Sequence, residues 1–164
     1  MTANTGSGLH LVFNQERGLF CLKCGTKIGD YKYWCFGVFD ANGTLLRAAR
    51  TRYLGTGIGF DCDENYIYPV RYSSAGTYGY VIDWELNPIA RFTVEKADWE
   101  IEGVCHIGAD LYISYNQEAG ANRKNTIMRT KPIWEYYTAG DTPQNTWPTS
   151  DGVRRGEWTM IDVG

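Results

Sequence analysis

The stretch EIEGVCHIGADLYISYN (residues 100–116) repeats the order of parts in GTGIGFDCDENYIYPVRYS (residues 55–73). Each holds a glycine, a short apolar run, a polar turn, a second run rich in Tyr and Ile, and a polar exit. GLHLVFNQERGLFCLKC (residues 8–24) follows the same plan. Two strand-like runs around a short polar turn read as a hairpin. Aligned on Gly8, Gly57 and Gly103, the hairpins recur at intervals of 49 and 46 residues.

A second pair of runs follows each hairpin. They are YWCFGVFDANGTLLRAAR (residues 33–50), YGYVIDWELNPIARFTV (residues 78–94) and NTIMRTKPIWEYYTA (residues 125–139), the last a weaker copy with Pro132 near its turn. Asp83 falls where Asp40 falls, just before the turn. Asn42–Gly43 predicts a type I′ turn, because Asn-Gly supplies the two positive φ angles that turn needs. The repeating unit is therefore four strands, and its period fits a propeller blade. ANGTLLRAARTRYL (residues 41–54) could pass for an amphipathic helix. It occupies the place of NPIARFTVEKADW (residues 87–99), however, where Pro and β-branched residues argue for strand. The expected fold is all-β: three four-stranded propeller-like blades over residues 8–138, a flexible N-terminal arm over residues 1–7, and an irregular C-terminal extension over residues 139–164. Within the extension, EWTMIDV (residues 157–163) reads as a last strand, completing an earlier blade or pairing with another chain.

Composition agrees with this reading. Of 164 residues, 12 are Tyr, 6 Trp and 19 Gly, which suits short strands and tight turns. The net charge of −3 carries no electropositive footprint, so no nucleic-acid partner is expected. No apolar run reaches the roughly 18 residues of a membrane helix, so no membrane insertion is expected. The N-terminus MTANTGSG lacks the basic and apolar parts of a secretory signal, so synthesis in a cytoplasm with reduced thiols is expected. Three blades are fewer than the four to eight of typical propellers, and three would leave open edges. A homo-oligomer, two chains closing a six-bladed ring, or a larger assembly resolves that.

The runs GFDCDENYIYPVRYS (residues 59–73), YVIDWELNPIARF (residues 80–92) and WEIEGVCHIGADLYIS (residues 99–114) resemble repeats of β-propeller domains in phage receptor-binding and cell-wall-associated proteins. The likeness covers residues 8–138 and carries over no catalytic or binding motif residue by residue. It implies a non-catalytic binding module, a phage-like virion or tail component that engages a cell-surface glycan or a neighbouring subunit.

Several stretches admit chemistry. CLKCGT (residues 21–26) looks like half of a zinc knuckle, but no second CxxC exists, and Cys35 with His10 or His106 would have to complete the ligands. The reading is strand cysteines, with no metal. DCDEN (residues 61–65) has the oxygen density calcium favours, yet lacks the glycine and distal glutamate of an EF-hand and reads as a turn. Glu100 and Glu102, with Asp98 nearby, would be the carboxylates of a carbohydrate-active enzyme. That is one alternative function; a purely structural assembly subunit is the other. No cofactor is expected. The favoured site is the face that gathers the loops between second and third strands (GTKIGDYKYW, YSSAGTYGY, YNQEAGANRKN) and the inter-blade links (RTRYLGTG, EKADWE). It would bring together Tyr31, Tyr33, Arg52, Tyr53, Tyr72, Tyr78, Trp99, Tyr115 and Arg123. Aromatic rings beside polar donors suit sugars and protein partners alike.

Overall fold

The structure, a computed structural model, describes residues 9–52, 59–73, 76–94, 100–108, 110–117, 124–130, 133–136 and 158–164. Among these residues there is no helix, and the chain is all-β. The first four strands, β1 (His10–Asn14), β2 (Leu19–Ile28), β3 (Tyr31–Phe39) and β4 (Leu45–Arg52), form an antiparallel meander in sequence order. The next four, β5 (Phe60–Cys62), β6 (Tyr66–Ser73), β7 (Gly76–Asp83) and β8 (Pro88–Val94), form a second. Strands β9 (Glu100–Ile107), β10 (Asp110–Gln117) and β11 (Lys124–Thr130) form a third. Residues 45–52 are thus strand, as their counterpart in the second unit requires.

The count of four strands per unit needs correction. β12 (Ile133–Tyr136) leaves the third sheet and pairs with β8, so the second sheet has five strands and the third has three. In sequence, β11 and β12 are separated by Lys131 and Pro132, which are not the Asn, Asp or Gly that a tight hairpin turn favours. β13 (Trp158–Ile161) pairs with β4 and gives the first sheet its fifth strand, as a terminal strand completing an earlier unit would. None of the three sheets closes on itself.

Two cores hold the sheets face to face. The first joins Cys21, Trp34, Phe36, Val38 and Trp158 of the first sheet to Ile67, Tyr80, Ile82, Trp84 and Leu86 of the second. The second joins Tyr68, Val70, Val81 and Ala90 to Ile101, Leu111, Ile113 and Tyr115 of the third. Side chains alternate across a strand. The run Tyr80-Val81-Ile82 therefore sends its first and third residues to one core and its middle residue to the other. The initial strands lie together, β1 against β5 and β5 against β9. At Gly59 a Cβ would sit 3.2 Å from both Val104 and Val70, tighter than an ordinary contact, so any larger residue would require these side chains to shift.

The turn repeat is visible in detail. Asp40 N–H donates to Thr44 O and Gly43 N–H to Asp40 O; Asp83 N–H donates to Asn87 O and Leu86 N–H to Asp83 O. Both hairpins slip register at the two residues before the aspartate, Val38/Phe39 and Val81/Ile82. The aspartate side chain closes each turn, Asp40 Oδ1 accepting from Asn42 and Thr44 N–H and Asp83 Oδ1 from Asn87 N–H. The first is not a type I′ turn. Only Gly43 has positive φ, at +83°, and Asn42 does not. A longer loop with one left-handed residue, capped by Asp40, takes its place.

Candidate binding face

The loop expected over residues 25–34 is much shorter. Ile28 pairs with Tyr31, so Gly29 and Asp30 alone make the turn, with Gly29 at φ +60°. Tyr31 and Tyr33 therefore stand in β3 rather than in a loop. Arg52, at the end of β4, pairs with Tyr33. The Arg50 guanidinium lies over the Tyr33 ring, 5.4 Å from its centroid. Tyr72 pairs with Thr77 and Tyr78 with Arg71, beside the β6–β7 turn. Tyr53, Trp99 and Arg123 lie outside the described residues, as does Asp98. Tyr115 is 1% exposed and packs in the second core. Leu111, Ile113 and Tyr115 are in period-two phase, which is the sequence signal that assigns this ring to the interior.

The outer face of the first sheet carries an open apolar surface absent from the expected site. Leu11 is 57% exposed and Phe13 46%, and Leu9 and Leu45 are exposed as well. Phe13, Phe20, Phe39 and Leu45 follow one another across four strands by register. The Phe13 and Phe20 rings pack at 4.7 Å. On the third sheet, Ile107 and Ile127 are exposed on β9 and β11.

The carboxylates of Asp61 and Asp63 are occupied by protein. Asp63 Oδ1 accepts from Asn65 and Tyr66 N–H, each at 2.7 Å, and Oδ2 accepts from the Tyr68 hydroxyl at 2.5 Å. Burial and then this carboxylate push the Tyr68 hydroxyl's pKa up. The His106 ring stacks on Tyr68 at 5.0 Å, and the His106 backbone N–H donates to Asp61 Oδ2. Asn14 Nδ2 donates to Glu64 O at 2.9 Å, and Trp84 Nε1 to Asp63 O at 3.2 Å. This turn ties all three sheets together, which is what its aspartates do here.

The metal readings meet a geometric obstacle. Residues three apart on a strand point to opposite faces. Cys21 is accordingly in the first core while Cys24 is half-exposed on the outer face. Among the described residues no group of three His, Cys, Asp or Glu side chains could hold a metal ion. Glu102 is exposed at an irregularity in the β9–β10 register, where Ile101 pairs with Tyr115 but Gly103 with Ser114. The spacing argument that aligned it with Glu100 does not pass through such a bulge.

Lys23 and Cys24, both on β2, have lowered pKa values. Lys23 is 2% exposed, with Nζ 4.7 Å from the Trp34 ring centroid and 5.2 Å from that of Phe60. Burial holds its pKa down at about 7. Cys24 is also lowered to about 7, because the Cys35 thiol hydrogen-bonds to its sulfur.

These features define a class: an all-β chain of three stacked antiparallel sheets, the middle one covered on both faces. No helix among the described residues is long and apolar enough to cross a membrane. No protein-family model matches the chain, and no curated protein matches it in sequence.

Proposed function

We propose that this chain is a non-catalytic binding module whose three sheets act as propeller-like blades and whose first partner is a second copy of itself. One observation supports this above others: the outward face of the first sheet carries Leu11, Phe13, Phe20, Phe39 and Leu45, and Leu11, Phe13 and Leu45 on it are exposed. Exposed contiguous apolar surface of this kind marks an interaction site. Within the chain, the first sheet's other face meets the second sheet, and the second meets the third. Following that order, the occupant of the open face is the outer face of a third sheet, where Ile107 and Ile127 are exposed. Reciprocal use of both faces by two copies gives a ring of six sheets with two-fold symmetry. Its setting, a phage-like virion or comparable surface assembly, rests on the resemblance of the repeats.

Sedimentation velocity on the purified chain tests the proposal. A dimer that becomes monomeric on Phe13→Glu and on Ile127→Glu, with circular dichroism unchanged, is the expected result. A monomer at tens of micromolar protein would overturn it. A glycan ligand is a second reading, favoured by the Tyr33 ring under Arg50 with Arg52 on the adjacent strand. It predicts glycan-array signals that Tyr33→Ala removes, whatever the oligomeric state.

A further inference from the structure

Cys24 and Cys35 face each other directly across the β2–β3 ladder. Each lies four residues from the two-residue turn that joins those strands, so the register is fixed by the turn itself. Opposed Cα atoms in an antiparallel pair are about 4.5 or 5.5 Å apart, and both spacings fall inside the disulfide range of about 4.4–6.8 Å. Both cysteines are free and half-buried on the outer face. Arg50 stands opposite Cys35 on β4, and its Nε is buried with no hydrogen-bond partner among the described residues.

We propose that Cys24 and Cys35 are a redox-active dithiol, oxidised by hydroperoxides to a reversible cross-strand disulfide, with Cys24 as the attacking thiol and Cys35 as the resolving one. The division of labour follows from their surroundings. The Cys35 thiol donates its hydrogen bond to Cys24, which stabilises a thiolate there and keeps Cys35 protonated. Arg50, opposite Cys35, lowers the pKa of that thiol, against the larger raising effects of its hydrogen bond to Cys24 and of burial. Thiolates, not thiols, are the nucleophiles.

The Cys24 thiolate attacks one peroxide oxygen. The S–O bond forms, the O–O bond breaks, and the departing hydroxide takes up a proton to become water. Cys24 is left as a sulfenic acid. Cys35 then gives up its proton, and its sulfur attacks Cys24. The S–S bond forms, the S–O bond breaks, and the leaving hydroxide takes that proton as a second water. Two thiols have lost two electrons, and one hydrogen peroxide has become two waters. A monothiol reverses the bond through a mixed disulfide, two thiols being oxidised in turn. The site is independent of what the face binds. Along β2 it lies four residues from Phe20, or about 13 Å. Cys21, fully buried on the opposite face with its thiol pKa raised by burial, serves as the unreactive comparison.

The test treats the full chain carrying Cys105→Ser, which removes the exposed thiol, with one equivalent of hydrogen peroxide at pH 7. Intact mass should fall by two hydrogens, mapping should join the Cys24 and Cys35 peptides, and a monothiol should restore the mass. Cys35→Ser should instead accumulate a dimedone-trappable sulfenic acid at Cys24. In the reduced chain, alkylation of Cys24 should slow about fifty-fold from pH 7 to pH 5 as its thiolate is protonated. Recovery of both cysteines as thiols, or a disulfide joining any other pair, would overturn the proposal. A Cys24 alkylation rate as slow at pH 7 as at pH 5 would overturn the assigned roles.

Discussion

The second sheet and the first differ in what covers them. The second is enclosed: Ile67, Tyr80 and Ile82 fill one core while Tyr68, Val81 and Ala90 fill the other. The first buries Val12, Cys21, Phe36 and Val38 on its inner side and leaves Leu11 and Phe13 open on the other. In sequence the two look alike, because both strands around Val12 and Val81 are apolar in both phases. A sheet covered on both faces is expected to read that way, whereas a sheet open to water on one side alternates apolar with polar. The first sheet thus has the composition of a covered sheet and the surroundings of an uncovered one.

Single truncations should separate the two regions most sharply. Trp84→Ala removes a fully buried ring in the first core and the indole N–H that donates to Asp63 O. It should cost about 3–5 kcal/mol in chemical denaturation. Phe13→Ala, on the open face, should change monomer stability by no more than about 0.5 kcal/mol. Equal effects at the two positions would erase the contrast between a covered and an uncovered sheet.

How far this was legible in the chain depends on which interactions are local. The Asp40 and Asp83 turns are closed by their own side chains within four residues, so their match in sequence became a match in hydrogen bonding. The meander order followed from the hairpins in the same way. β12 was misplaced because nothing within its own four residues states which edge it joins; that choice belongs to β8, some forty residues earlier. By composition Tyr31 and Tyr33 belong to a loop, whereas the backbone places both in β3. A two-residue turn at Gly29–Asp30 carries the strands further than composition suggested, and this puts Tyr33 in a ladder. The same short turn places Cys24 opposite Cys35, a pairing that counting outward from Gly29–Asp30 would have revealed.

The inner side of the first sheet offers the next test, because it includes a lysine. His10 pairs with Lys23, and burial, then Lys23, lower the histidine's pKa. An ammonium removed from water is costly even beside Trp34 and Phe60. With Lys23 near 7 in the folded chain and about 10.5 unfolded, the unfolded chain binds more protons between those values. Stability from this residue therefore rises with pH across that window and is constant below it. Lys23→Met should stabilise by about 1–4 kcal/mol at pH 7 and flatten the rise between pH 7 and 8.5. Denaturation midpoints at several pH values would show it. A wild-type stability that falls over that interval, or a Met variant with the wild-type slope, would mean that the amine reaches water from the first core.

The smallest effects should lie in the paired turns, where the two sheets solve one backbone problem differently. The left-handed position is Gly43 in the first sheet and Leu86, at φ +65°, in the second. A leucine there is strained by about 1–2 kcal/mol relative to glycine. Leu86 is nevertheless fully buried in the first core, whereas a side chain added at Gly43 would meet nothing within 4 Å. Burial thus offsets the strain where a neighbouring sheet is present to receive the side chain. Leu86→Gly should lose the packing, relieve the strain, and cost a net amount of about 1–3 kcal/mol. Gly43→Ala should cost about 1 kcal/mol, all of it conformational. Thermal melts of the two variants make the distinction. If Leu86→Gly were neutral or stabilising, its side chain would contribute nothing between the sheets, and the two turns would differ only in sequence.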